Sequence, residues 1–193
     1  ALVVLAMLAL WLFLRSSLAL LDGQHSGPGL SARVTVERDA QGVPLISGST
    51  REDVAYATGF VHGQDRFFQM DLLRRVGGGE LAELFGPKAV AVDKSHRLHR
   101  FRARAEQALA AMPADEKHFL ERYAAGVNDG LRALSSRPFE YGLVGVEPRV
   151  WSPADSLLVV WAMSFDLQGR QEPRELARGW CRDQDTAEQL AFL

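Results

Sequence analysis

Two short stretches hold most of the side chains here that are capable of chemistry. The first, Gly59 to Glu83, reads GFVHGQDRFFQMDLLRRVGGGELAE, and its His62, Asp65 and Arg66 lie close enough to suggest acid–base work or a metal cluster. Asp65 and Arg66 are sequence neighbours, however, so on a helix they point to different sides and do not converge on one atom. With Gln64 they read as separate buried tethers, each needing a partner on another element or another subunit. His62 reads as a hydrogen-bonded structural histidine, and Arg74, Arg75, Glu80 and Glu83 as inter-element ion pairs. The second stretch is basic: Lys94, His96, Arg97, His99, Arg100, Arg102 and Arg104. Such a patch suits phosphate or nucleic acid. Phe101 is its only aromatic, though, and the net charge of the chain is -2. It therefore reads as a solvated helix pairing with acidic neighbours, and nucleic acid is not an expected partner. No serine stands in a hydrolase setting: GxSxG is absent, and neither Ser156 nor Ser164 has local support for a triad with a histidine. Cys181, the single cysteine, excludes an internal disulfide and belongs to no CxxC spacing.

The elements that must position these groups are mostly helical. A hydrophobic share of 47% and a charged share of 24% over 193 residues suit a globular body with a real core. Val34 to Arg38 alternates as a strand, Asp39 to Gly42 turns, and Val43 to Ile46 starts a return strand, which predicts a hairpin. Thr50 and Asp53 form a capping-box-like start for a helix running to about Val76, with Gly77 to Gly79 as its stop. Phe60, Val61, Phe67, Phe68 and Leu72 give that helix an apolar face. Gly59 and Gly63 form a smooth strip open to the approach of another backbone. Glu80 to Phe85 predicts a short helix closed by Gly86-Pro87. A basic, alanine-rich helix is expected from His96 to Met112, and another from Asp115 to Ser135 with Phe119, Tyr123, Val127 and Leu131 facing the core. In Trp151-Ser152-Pro153-Ala154-Asp155, Ser152 can cap, Pro153 suits the first helical position and Asp155 favours the positive helix end. One hairpin followed by helices is not a complete two-layer sheet domain, so the rest of the sheet must come from elsewhere.

Several of these segments occur in an order that resembles the α-subunit of the penicillin acylase family of N-terminal-nucleophile hydrolases. They are Glu37-Arg38-Asp39-Ala40-Gln41-Gly42-Val43-Pro44, the GFVHGQDR stretch, Ala124-Ala125-Gly126-Val127-Asn128, Pro138-Phe139-Glu140-Tyr141 and Trp151-Ser152-Pro153-Ala154-Asp155-Ser156. Together they cover about Val34 to Gly179. The resemblance implies an α+β class: residues 31–193 would be the mostly helical α-subunit portion of a four-layer αββα fold, incomplete without a β subunit cut from the same precursor. It also implies cleavage of the amide bond of N-acyl compounds such as penicillins or acyl-homoserine lactones. The nucleophile would be the first β residue, whose own α-amino group takes the hydroxyl proton. No Gly-Ser junction of that kind occurs here, so the chain is expected to be an α subunit or N-terminal fragment, inert by itself and with no catalytic residue of its own.

By position in the family, Met163, Phe165 and Leu167 become expected wall residues of an acyl pocket; core packing is the plainer account of the same residues. Glu175, with Glu172 as a nearby competitor, stands about where the family places one α-subunit ligand of a structural Ca²⁺. A hard cation needs several further oxygens, and an ion pair of Glu175 with Arg174 or Arg178 is the plainer account. At the N-terminus, Ala1 to Leu14 is unbroken and apolar. Residues 1–21 predict either a signal-anchor helix, spanning through to Leu21 with Arg15 snorkelling, or a signal peptide with Ser17-Leu18-Ala19 as cleavage site. Residues 22–30, DGQHSGPGL, predict a linker. The body is then expected outside the cytoplasm, in a bacterial periplasm, with the membrane as a partner through the first helix. A membrane-tethered, non-enzymatic helical binding module is the alternative function.

Overall fold

Glycines set how closely the two longest helices meet. The structure, a computed structural model, describes residues 2–168 and 172–184. Helix α2 (Arg51–Gly78) and helix α6 (Ala114–Ala133) cross where Gly59 and Gly63 face Gly126 and Gly130. A Cβ at Gly59 would collide with the Tyr123 carbonyl, one at Gly63 with the Val127 carbonyl, and one at Gly126 or Gly130 with the carbonyls of Tyr56 or Phe60. The strip expected at Gly59 and Gly63 is therefore a backbone-to-backbone seam with glycines on both sides. Phe67 and Met70 of α2, Ala124 and Val127 of α6, Tyr141 and Trp151 form the main core beside it.

The hairpin forms as expected, with β1 (Thr35–Arg38) antiparallel to β2 (Pro44–Ser47) in a two-stranded sheet. Asp39 closes its turn by accepting from the amides of Gln41 and Val43 through Oδ1, at 2.9 and 2.8 Å. The Thr50 hydroxyl accepts from the Asp53 amide and caps α2. The Asp53 carboxylate accepts from the amide and hydroxyl of Ser31 and ties the preceding segment down. Helix α2 breaks at Arg66 (φ -152, ψ 30), inside the polar insert, and ends with Gly79 in the left-handed conformation.

Beyond α2 come α3 (Ala82–Phe85), a 3₁₀ turn (Gly86–Ala89), α4 (Val90–Arg97) and α5 (Phe101–Ala111). The single helix expected over His96 to Met112 is thus two, because Arg100 takes a left-handed conformation (φ 53) between them. Helix α7 (Phe139–Val144) was not expected; it follows Pro138 directly. Helix α8 (Pro153–Gln168) starts where the sequence placed it, and α9 (Glu172–Gln184) follows.

Helix α1 (Leu2–Ser16) ends before Leu21, to which the expected span was to run. No described helix is long and apolar enough to cross a membrane. The helix stops because the Ser16 and Ser17 hydroxyls donate back to the carbonyls of Phe13 and Leu14, and the chain then leaves as irregular backbone. Its end is fastened to the α6–α7 connection, where the Ser136 amide donates to the Ser16 carbonyl at 3.1 Å.

Candidate functional site

The start of α8 is held by a buried charge network. Asp71 accepts from Arg74 Nε (2.6 Å) and Arg75 Nε (3.0 Å) on one oxygen and from the Tyr141 hydroxyl (2.7 Å) on the other. Arg74, fully buried, continues to Asp155 Oδ2 at 2.8 Å and to the carbonyls of Arg149 and Val150. Its guanidinium also lies over the Trp151 ring, 5.0 Å from the centroid. Glu80 accepts from Arg149 (2.6 Å) and Arg102, and Arg102 reaches Asp155 Oδ1 at 3.2 Å. Asn128 of α6 closes the frame by exchanging two hydrogen bonds with the main chain of Trp151.

The electrostatics follow from burial and partners. Burial alone would raise the pKa values of Asp155 and Glu80. The Arg74 charge and the Ser152 hydrogen bonds outweigh it at Asp155, Arg102 and Arg149 outweigh it at Glu80, and both carboxyls end below their ordinary values. Burial, reinforced by Asp71, raises the Tyr141 phenol and keeps it protonated as a donor. Ser152 does not cap α8 as expected; its amide and hydroxyl both donate to Asp155 Oδ2 at 2.8 Å, so the carboxylate is the acceptor.

From this anchored start, α8 presents two different faces. Leu158 and Ala162 are buried, Leu158 within a cluster with Ala105 and Ala154. On the other side Val160, Met163 and Leu167 follow one another at helical spacing and are 60%, 57% and 71% exposed. Phe165 does not join them. It is half-buried against the α4–α5 corner, with ring centroids 4.5 Å from His99 and 5.3 Å from His96 and an edge contact to Phe101. Of the expected pocket residues, then, Met163 and Leu167 share one exposed apolar stripe and Phe165 packs elsewhere.

The other candidates separate cleanly. Glu175 is exposed on α9 and its carboxylate faces Arg178 Nη1 at 3.3 Å. Among the described residues no group of three or more potential ligands forms. The Glu172 side chain lies outside the described residues. Arg66 is exposed rather than buried, whereas Asp65, its side chain 20% exposed, is the tether expected: it holds Arg38 of β1 through two contacts of 2.9 Å. His62 bonds the Tyr123 hydroxyl at 2.9 Å, and burial followed by the nearby Arg66 charge lowers its pKa, so it is a neutral structural histidine. The basic stretch does not act as one surface, since Arg97 donates to the Gly79 carbonyl and Arg102 turns inward. The sequence reading missed Tyr141 and Arg149 as network members. The adjacent Asp71, Arg74 and Arg75 inside an apolar helix were the available signal.

This helical frame is that of a known amidase family. Residues 33–193 match the family model described as Penicillin amidase, and the chain belongs to that family. It is 42% identical over 147 residues to "Penicillin acylase 2 proenzyme" of Pseudomonas sp. (strain SE83), covering 76% of this chain and 19% of that protein. It is 38% identical over 140 residues to "Acyl-homoserine lactone acylase QuiP" of Pseudomonas aeruginosa, covering 72% of this chain and 16% of that protein. The chain thus spans about a fifth or less of these curated relatives. A solved structure, "Thermostable Penicillin G acylase from Alcaligenes faecalis in tetragonal form", matches with a TM-score of 0.66 at 28% identity, over 82% of this chain and 87% of that one. That solved chain is therefore similar to this one in length.

Proposed function

We propose that this chain is the acyl-recognising N-terminal portion of an amidohydrolase that cleaves the amide bond of N-acyl compounds, with the nucleophile on a β subunit from the same precursor. Family membership and relatives named for penicillins and acyl-homoserine lactones support the reaction class. The matched solved chain is as short as this one while the curated relatives are far longer, which supports a two-chain enzyme with a four-layer fold completed by the partner. In such an enzyme the N-terminal residue of the partner attacks the carbonyl, with its own amine as base, and donors on the partner stabilise the oxyanion.

The observation that carries the acyl-recognition role is the exposed stripe Val160–Met163–Leu167 on a helix whose opposite side is fixed by the charge network. A stripe of that kind, once covered by the partner, makes an apolar wall for an acyl tail. Phe165 contributes from behind, by holding the C-terminal half of α8 against α4 and α5. Calcium enters only if the partner supplies the remaining oxygens, with Glu175 exchanging Arg178 for the ion. Export of the body through the apolar N-terminal segment, cleaved near Ser17-Leu18-Ala19, completes the proposal; fusing residues 1–30 to a reporter active only after export tests it, and activity in the cytoplasm would count against it.

The deciding experiment pairs the chain with its β subunit and compares rates across acyl lengths for wild type, Met163→Ala and Leu167→Ala. Discrimination between neighbouring lengths should change by about 1–3 kcal/mol per methylene-sized change in the pocket, with self-cleavage of the precursor intact. An unchanged profile in both variants would remove these side chains from the pocket.

A further inference from the structure

The charge network fixes the start of α8, and buried contacts fix its middle. Asp155 ties the first turn to Arg74 and Arg102, and Leu158 and Ala162 are buried further along. Beyond Ala162, Met163, Ser164, Asp166, Leu167 and Gln168 are all exposed, and Phe165 alone is half-buried. Among the described residues, then, the last turn of α8, with Met163 and Leu167 on it, is held through the Phe165 ring.

That ring rests on a stack supplied by the α4–α5 corner. The His99 ring centroid lies 4.5 Å from that of Phe165, and 5.1 Å from that of Phe101 with the two planes 14° apart. Phe101 also meets Trp161, one turn before Phe165 on α8, at 5.7 Å. His96 reaches Phe165 as well, but its Nδ1 donates to the Val92 carbonyl at 3.0 Å, so its own helix sets its place. His99 belongs to neither helix. It stands in the turn between α4 and α5, beside Arg100 with its left-handed backbone (φ 53). A residue with a Cβ holds that conformation at a cost, and does so where its surroundings fix it. His99 is thus wedged between the start of α5 and the last turn of α8.

We infer that His99 is a positioning residue that sets the depth of the acyl pocket and so the length of acyl chain preferred. Its role rests on the reading of Met163 and Leu167 as pocket wall, and it supplies the support that places them. At about 100° per residue, Phe165 points about 160° away from both Met163 and Leu167. A change behind Phe165 therefore moves those two side chains into or out of the pocket rather than along it, because close-packed side chains transmit displacement. With a smaller group at position 99 the last turn sinks towards α5 and the pocket deepens. A larger group lifts the turn and makes the pocket shallower. His99 controls acyl length in this way without touching the acyl group.

Acyl-length profiles of the assembled enzyme, this chain paired with its β subunit, provide the test. kcat/KM is measured over a series of straight-chain fatty-acyl nitroanilides for wild type, His99→Ala, His99→Trp and His99→Phe. His99→Ala should move the optimum to longer chains and His99→Trp to shorter ones, each changing the ratio between neighbouring lengths about tenfold. His99→Phe keeps a flat ring against Phe101 and should retain the wild-type profile. A purely structural role lowers every rate in proportion and leaves the optimum in place. That result would overturn the inference, as would His99→Ala and His99→Trp moving the optimum the same way. If His99→Trp fails to assemble, His99→Ala against His99→Phe decides. Where Met163→Ala and Leu167→Ala shift the profile and the His99 variants do not, the pocket stands and the role of His99 falls. Where none of them shifts it, the pocket assignment falls and His99 with it.

Discussion

Asp155 joins more elements than any other side chain in the network. Its two oxygens collect Arg74 from α2, Arg102 from α5 and the amide and hydroxyl of Ser152. Asp155→Asn leaves two guanidinium groups short of a counter-charge, one of them fully buried, and should cost about 3–5 kcal/mol in urea unfolding of the assembled enzyme. The exposed pair Arg137–Glu147 is the control, since Arg137→Ala should cost no more than about 1 kcal/mol. The depressed pKa values of Asp155 and Glu80 fix the sign of the pH dependence. Each group contributes stability that is fully present above its unfolded pKa and is lost as the pH falls through the folded value. The contribution of these two groups should therefore be flat near neutrality and decline below about pH 4, the unfolded carboxylate range. Asp155→Asn should flatten that acid limb, as urea midpoints measured against pH would show.

At the scale of elements, α8 has a buried side and an exposed apolar side, and if the exposed side recognises the acyl group as proposed, substitutions should separate the two. Phe165→Ala removes a half-buried ring from the α4–α5 corner and should lower stability by about 1–3 kcal/mol. Met163→Ala, on the exposed stripe, should change stability by no more than about 0.5 kcal/mol while altering acyl preference. Equal stability losses in thermal melts of the two assembled variants would contradict this division. The start of α8 was legible in the sequence because Trp-Ser-Pro-Ala-Asp combines local signals that act within one turn. The hairpin was legible for the same reason, through period-two alternation and a glycine turn. What stayed hidden depended on partners far along the chain. Ser152 was read as a cap, but Arg74 fixes Asp155 so that the carboxylate accepts instead. The helix break at Arg100 has no glycine or proline to announce it. Membership of Met163 and Phe165 in one pocket was carried over by position, and helical geometry sets them on different sides.

For the whole molecule, the described residues leave the Gln64 amide nitrogen and Arg122 Nη2 buried without hydrogen-bond partners and the apolar stripe of α8 uncovered. A two-stranded sheet on its own is marginal, so Val34 to Gly179 expressed alone should show weak hydrogen-exchange protection and no cooperative melt. A monomeric, cooperative transition would argue that the fragment is self-sufficient.

The seam between α2 and α6 has a further consequence, for mutational tolerance. At Gly59, Gly63, Gly126 and Gly130 a facing carbonyl occupies the space of a Cβ, and every other residue carries one. In a saturation library screened for assembled enzyme, those four positions should reject alanine as firmly as tryptophan. Positions 163 and 167 should instead accept many residues and sort them by substrate. Variation along this chain would then divide into places where no change survives, on the α2–α6 seam, and places where change redirects the enzyme, on the exposed side of α8.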